Sequence, residues 1–503
     1  MKIAKILVCL LFPCLSLAQA SSHFRIHQLK VRGEIQEILA QDLDRDGFKE
    51  LVVIHYTDAN NVAQRYISVF WTGSDSRYIP QNSFEMAIPS RFTIYDFGSL
   101  PGEKQEVIIL LSKNTAEYYR WNNHKLEGPT KLLGFSGQLV QLSDSDRLSY
   151  YDFFYDFNQD GQNELLIFQA GWAKLFYLRQ NKWTETALEL PMDISYIYPS
   201  GMRDLYTHME MAVTYRTPNI FLEDLDDDSK LELFACSGKK LWIFRLNPEG
   251  IYNSEPDRKI TIKMDLPSGS PSAPRQRPQY NLQITDLDQD SRADLIITGQ
   301  HGTFFSPKSE TRLYYGKNNW ADQANKNPKP DRIWNFNAWV VGPFIRDTNA
   351  DKNNDLIVTT IESGIFQTIQ TLVASDFPVE WRYYLSTNHT LPDQPSAVDR
   401  INLRIDLPRG RMLGGIPNVF ADFNGDNVDD LIYGKSETEL MVVIKDRKAQ
   451  RTSNQELIKI APGNFPITTD LNQDHKDDII LIYSRQGEAK PGEFNVLMNL
   501  GNW

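Results

Sequence analysis

Seven times along the chain an acidic phrase recurs, with carboxylate or amide oxygens at its first, third and fifth positions and a carboxylate at its ninth. The copies are Asp42, Asp44, Asp46, Glu50; Asp156, Asn158, Asp160, Glu164; Asp224, Asp226, Asp228, Glu232; and Asp286, Asp288, Asp290, Asp294. Three more follow as Asp347, Asn349, Asp351, Asp355; Asp422, Asn424, Asp426, Asp430; and Asp470, Asn472, Asp474, Asp478. Oxygens at alternate positions of a tight loop can converge on one hard cation. Calcium takes about six to eight oxygens at roughly 2.3–2.6 Å, whereas magnesium demands stricter octahedral geometry and gives up its waters reluctantly. No copy offers the cysteine and histidine set of a structural zinc site. The pattern points to Ca2+ at up to seven sites, with the position-seven carbonyl and a water completing each shell.

One such phrase is ordinary turn chemistry, because Asp, Asn and Gly favour turns. Seven with a fixed spacing mark a shared structural unit. An EF-hand begins similarly but closes on Glu at position 12 between two helices. Here the closing acid stands at position nine and runs into strand-like segments such as Leu165–Phe168, Leu295–Thr298 and Ile479–Ile482. Each loop therefore bridges two strands. Position six should take a left-handed conformation, free of cost for Gly47 and Gly161 and tolerable for Asn427. Ser229, Ser291, Lys352 and His475 should carry some strain there.

The loops begin at 42, 156, 224, 286, 347, 422 and 470, and the first interval is about twice the others. A decayed copy fills it: Phe92–Asp96 reads as an incoming strand and Glu106–Leu111 as an outgoing one, with Gly98 and Leu100 where acids would stand. That unit is expected to fold without metal. Units of about sixty residues with roughly four short strands are propeller blades. Tyr66–Trp71, Lys240–Arg245, Leu440–Ile444 and Phe494–Met498 supply further strands. The expected fold is all-β, an eight-bladed propeller of four-stranded blades, with seven blades and an insertion as the alternative. The last unit has room for about three strands before Trp503, and Phe24–Val31 could provide the fourth, closing the ring and removing open edges.

With these residues in view the chain resembles the FG-GAP/VCBS repeat family, which includes the integrin α-subunit propellers. The stretch Gly415–Gly434 is the most similar, and the likeness covers nearly the whole chain after residue 20, at the loops and flanking strands. The family's Phe-Gly and Gly-Ala-Pro signatures are mostly absent. The resemblance implies a propeller with calcium loops on one rim and ligands often bound at the other face. It implies no partner.

Residues 1–20 read as a secretory signal: Lys2 and Lys5, an apolar Ile6–Phe12 and a small-residue Ala18-Gln19-Ala20. The single domain is then 21–503, expected to be extracytoplasmic (secreted, periplasmic or cell-surface) and without a membrane span. Cys9 and Cys14 leave with the signal, so Cys236 cannot form an internal disulfide and reads as a small buried hydrophobe. The formal charge of −12 becomes −14 without Lys2 and Lys5, which seven Ca2+ would neutralise. Without metal the clustered carboxylates repel one another. The acidic balance argues against a nucleic-acid partner.

Insertions at 187–218 (with Tyr196, Tyr198, His208 and Tyr215), 266–279, 301–333 and 376–400 are either binding loops or plain connections. The ten Trp and twenty-two Tyr could form a sugar-stacking face, though in all-β proteins aromatics more often fill cores. No nucleophile elbow, phosphate loop or histidine pair is present. The leading expectation is a non-catalytic recognition or adhesion scaffold for a protein or glycan. The alternative is an extracytoplasmic lyase or hydrolase acting on polysaccharide, with His208, His301 and Arg346 as its candidate groups, or a structural role in an envelope complex.

Overall fold

The computed structural model describes residues 23–59, 62–72, 78, 84–103, 105–122, 124–136, 148–169, 171–197, 212–264, 266, 278–303, 306–323, 328–362, 376–406, 411–413, 415–446, 451–483, 491–501 and 503. The expected signal segment 1–20, His208, Tyr198 and most of 266–279 lie outside them.

Each acidic loop is followed by a strand that opens, after the closing acid, with a short run of mainly apolar residues, and burial on both faces explains why. In Leu51-Val52-Val53-Ile54 the alternate side chains point to opposite faces of the sheet, as a strand requires. Leu51 and Val53 pack with Leu471, Ile480 and Phe494 on one side, while Val52 and Ile54 pack with Ile108, Leu110 and Tyr119 on the other. Each sheet is thus a blade wedged between two neighbours. Eight clusters of buried side chains fill the eight interfaces between successive blades. At ~25 cal/mol per Å² of apolar surface, burial in these interfaces is the main force holding the ring together.

The chain forms eight antiparallel four-stranded blades in a ring, an eight-bladed β-propeller. Blade 1 comprises Glu34–Gln41, Glu50–Ala59, Val62–Phe70 and Phe84–Ile88, from the innermost strand outward. Blades 2 to 7 occupy 92–134, 154–189, 219–261, 279–336, 339–406 and 418–458. Ser149–Tyr150 adds a short parallel strand inside blade 2, and Arg411–Leu413 lengthens blade 6 at its outer edge. Blade 8 takes Ile467–Thr469, Asp478–Ile482 and Glu493–Asn499 from the end of the chain and Phe24–Lys30 from its start. Phe24–Lys30 pairs residue for residue with Glu493–Asn499, so the N-terminal strand closes the ring as its sequence suggests.

The decayed unit is a full blade, with Phe92–Gly98 and Val107–Ser112 as its first two strands. Cys236 is free and buried in the interface between blades 4 and 5. Of the insertions, 187–218 contributes a hairpin of Asp193–Ile197 with Ala212–Arg216, and 376–400 belongs largely to blade 6 strands. Among the described residues no helix is long and apolar enough to cross a membrane.

Candidate metal centres

All seven acidic loops connect the first strand of a blade to the second, so they lie on one rim of the ring. Each is tied by three recurring hydrogen bonds. The position-six N–H donates to the position-one carboxylate at 2.7–3.1 Å. The position-two N–H donates to the closing carboxylate at 2.7–3.1 Å. The position-seven N–H donates to the position-five carboxylate at 2.8–3.0 Å. Position six has positive φ in every copy, as expected, but so does position four, from Arg45 to Gln473. These two left-handed residues curl the backbone so that its N–H groups meet the carboxylates.

The closing acid divides the ring. In blades 1, 3 and 4 it is Glu50, Glu164 or Glu232, and in blades 5 to 8 it is Asp294, Asp355, Asp430 or Asp478. Every aspartate uses both oxygens on backbone: the second accepts the N–H of Gly316 (2.6 Å), Ser386 (2.8 Å), Lys445 (2.8 Å) or Asn499 (2.6 Å), at or near the end of the third strand. The extra methylene of glutamate lets one oxygen hold the position-two N–H while the other turns into the loop. Accordingly Asp42, Asp44 and Glu50 bring ligand atoms within 4.8 Å of one another, as do Asp156, Asp160 and Glu164, and Asp224, Asp226 and Glu232. In blade 5 the trio is Asp286, Asp288 and Asp290, without the closing Asp294. Among the described residues the loops of blades 6, 7 and 8 gather no such trio.

The donor sets suit a hard cation. In blade 1 Glu50 is 0 % exposed, and its Oε1 and the Oδ1 of Asp42 are buried without a hydrogen-bond partner. The Oδ1 of Asp288 in blade 5 is in the same state. A buried acceptor left unmatched costs about 1–3 kcal/mol, more when charged, and a cation removes that cost. Burial pushes the Glu50 carboxyl up to about 8, helped by Asp44, Asp46 and Asp42 and opposed by the Leu43 N–H. Glu164 is likewise pushed to about 8 by burial. Burial pushes Glu232 up to about 7, opposed by the Leu225 N–H and by Arg245. If calcium binds, Asp42, Asp44, Asp46 and Glu50 would hold it in blade 1, and Asp156, Asn158, Asp160 and Glu164 in blade 3.

Two basic side chains already stand in loops. Arg245 pairs with Asp226 and approaches Glu232 Oε1 at 3.5 Å in blade 4. Lys317 pairs with Asp288 at 2.6 Å in blade 5. Lys317 comes from the 301–333 insertion, where a short turn at Gly316–Asn318 leads into a helix at Trp320–Gln323. Trp320 Nε1 donates to the Ala293 carbonyl at 2.8 Å. The described part of that insertion therefore caps the blade 5 loop.

Blade 2 shows what replaces the loop when its acids are lost. Asp96, at the first position, accepts the N–H groups of Phe97 (2.7 Å), Phe153 (2.8 Å) and Phe154 (2.8 Å), stapling blade 2 to blade 3. Burial pushes its carboxyl up to about 7 against these three bonds. At Gly98 a Cβ would lie 2.3 Å from the Phe154 ring, so the residue that replaced an acid is the one that lets blade 3 approach.

Sequence reasoning missed other parts of the rim. Position two is a buried plug (Leu43, Phe157, Leu225, Leu287, Phe423 and Leu471) that enters the interface with the next blade. Position eight ties one loop to the previous one, as in Lys49 N–H to Leu471 O (2.9 Å), Ala293 to Asp224 (2.6 Å), Asp429 to Thr348 (3.0 Å) and Asp477 to Asp422 (2.7 Å). The plug was legible as a periodic apolar residue inside an acidic phrase. Arg346 pairs with buried Asp429 at 2.9 Å and donates to the Phe420 carbonyl at 3.3 Å. His301 stands in the strand Asp294–Thr303 opposite Lys308.

On the other rim, where innermost strands begin, a recess of about 310 Å³ lies between blades 8 and 1. Its walls include Glu34, Gln36, Phe465 and Tyr483. Phe465 is 43 % exposed, and Glu34 accepts the Tyr56 hydroxyl at 2.7 Å.

No protein-family model matches the chain, and no curated protein matches it. Among solved structures it is similar to the Dos1 propeller (8 % identity, 96 % of this chain and 95 % of that one, TM-score 0.42). It is also similar to an Agrocybe aegerita lectin whose structure concerns recognition of non-reducing terminal N-acetylglucosamine (12 % identity, 96 % of each chain, TM-score 0.39). A third is the V. cholerae biofilm matrix protein Bap1 (10 % identity, 96 % of this chain and 89 % of that one, TM-score 0.34).

Proposed function

We propose that this chain is an exported propeller stiffened by calcium on one rim, acting as a non-catalytic recognition or adhesion scaffold for a protein or glycan. The observation that carries the calcium part is the wholly buried Glu50 with an unpartnered oxygen, converging with Asp42 and Asp44. The basic, apolar and small-residue order of 1–20 supports export. Outside the cell calcium is abundant enough to fill even weak oxygen sites. A rim fixed by metal leaves the opposite rim free to present a surface, and the recess beside exposed Phe465 offers an aromatic ring next to polar groups. The resemblance to FG-GAP/VCBS repeats agrees with both halves of this reading.

The test uses residues 21–503 immobilised in calcium, exposed to envelope and secreted material, and eluted with chelator for analysis of both protein and glycan. A saturable partner released by chelator is the expected result. Glycan shortened in the flow-through, with nothing retained, would overturn the scaffold reading in favour of catalysis.

A further inference from the structure

We propose that the blade 1 loop is the primary cation site of the ring, and that Arg245 and Lys317 are resident cations standing in for metal in blades 4 and 5. The proposal rests on the reading above that these loops take calcium, and it ranks them.

Blade 1 has carboxylates at all four ligand positions, Asp42, Asp44, Asp46 and Glu50. Among the described residues no lysine or arginine forms an ion pair with any of them. Glu50 Oε1 and Asp42 Oδ1 are the buried, unpartnered oxygens that a cation would meet. Affinity for calcium rises with the number of charged ligands and the rigidity of the site. Blade 3 has Asn158 at its third position, and the Asn158 amide already donates to Asp160 at 3.2 Å and to the Gly250 carbonyl at 3.0 Å. In blade 4 the Arg245 guanidinium sits between Asp226 and Glu232. In blade 5 the Lys317 ammonium occupies Asp288 Oδ2, leaving Oδ1 unmatched. A fixed ammonium or guanidinium neutralises a carboxylate as a metal does, but it also repels an incoming ion.

The place of the blade 1 loop gives this ranking a consequence. Lys49, within the loop, donates its N–H to Leu471 of blade 8 at 2.9 Å and its Nζ to Thr469 at 2.8 Å. Its carbonyl accepts the Tyr78 hydroxyl at 2.6 Å. Blade 8 is the one closed by Phe24–Lys30, so a cation in blade 1 braces the joint between the two ends of the chain.

Native mass spectrometry and calcium titration of 21–503 test the ranking, with hydrogen exchange at Phe24–Lys30 as the second readout. Glu50→Gln keeps an acceptor for the Leu43 N–H and removes the charge. Glu50→Asp keeps the charge and withdraws it by one methylene. Both are expected to remove one ion, weaken the tightest binding phase at least about tenfold, and speed exchange in Phe24–Lys30 in calcium. Lys317→Met and Arg245→Gln are each expected to add one ion. Unchanged stoichiometry and tight phase in both Glu50 variants would overturn the primacy of blade 1. No gain in Lys317→Met and Arg245→Gln would overturn the resident-cation assignment. A wild-type protein that takes up no calcium would instead sink the calcium reading itself, and this ranking with it.

Discussion

Blades 1, 3 and 4 close their acidic loops with glutamate and blades 6, 7 and 8 with aspartate, and the two arcs use the same phrase for different work. In the glutamate arc the closing carboxylate holds one backbone N–H and gathers with two other acids of its own loop, while in blade 4 the second oxygen of Glu232 faces Arg245. In the aspartate arc both oxygens are committed to backbone, one to the loop and one to the third strand. The first arrangement is a cradle of carboxylates, with Arg245 as its counter-charge in blade 4 and, among the described residues, no lysine or arginine paired to it in blade 1. The second is a staple that is already complete. Blade 2 extends the series, since Asp96 alone staples it to blade 3 by three backbone bonds. The same phrase thus differs around the ring in how many backbone N–H groups its closing carboxylate holds.

The sharpest way to break this comparison is to delete one closing acid in each arc. Asp478→Ala leaves the buried N–H groups of Leu471 and Asn499 without acceptors. At about 1–3 kcal/mol for each unmatched group, the expected loss is roughly 2–6 kcal/mol, equal with calcium or chelator present. Glu50→Ala should cost much more in calcium than in chelator, because the cation no longer contributes. Urea unfolding of both variants in both buffers checks this. A loss in Asp478→Ala that disappears in chelator would show the aspartate arc to be a metal arc after all.

Calcium removal from the wild type comes next in size. A site held at a hundred times its dissociation constant contributes about 2.7 kcal/mol. Hydrogen exchange should locate that loss in blades 1 and 3, with blades 6 to 8 little changed. Uniform loosening around the ring would merge the two arcs.

Much of the ring was legible in the sequence because its signals are local. The 1-3-5-9 spacing, the short apolar runs after it, Phe92–Asp96 as a decayed start and Phe24–Val31 as the closing strand each depend on neighbours a few residues away. What the sequence hid lies across the fold. Nothing near Asp478 announces that Asn499 will return to it, and nothing near Asp288 announces Lys317. The same holds for Gly98, which reads as a lost ligand but is kept small by the Phe154 ring of the next blade.

Acidity provides a smaller contrast. Without metal, Glu50 and Asp478 are both pushed up to about 8, largely by burial. A carboxyl with a raised folded-state pKa binds more protons folded than unfolded, so its contribution is full below the unfolded value and falls as pH rises toward 8. The metal-free protein should therefore lose melting temperature between pH 5 and 8. Calcium needs the carboxylate ionised, so its own stabilisation should grow over that range and offset the glutamate part. A melting temperature in chelator that rises from pH 5 to 8 would contradict the buried state of these acids.

The least effect concerns the backbone beneath both arcs. Position six is left-handed at Lys352 in blade 6 (φ +70°) and at Gly161 in blade 3 (φ +85°). A side chain in that conformation costs about 1–2 kcal/mol, and glycine gives back roughly 0.5–1 through its extra freedom when unfolded. Lys352→Gly should therefore stabilise by about 0.5 kcal/mol, while its N–H continues to meet Asp347. Gly161→Ser should destabilise by a similar amount, since a Cβ there meets nothing within 4 Å and only the backbone changes. Equal and opposite shifts in chelator would show that the loop backbone is preformed in both arcs. If the Gly161→Ser loss grows when calcium is added, the cation also demands a tighter curl than the empty loop holds, and the glutamate arc is reshaped by its ligand while the aspartate arc is not.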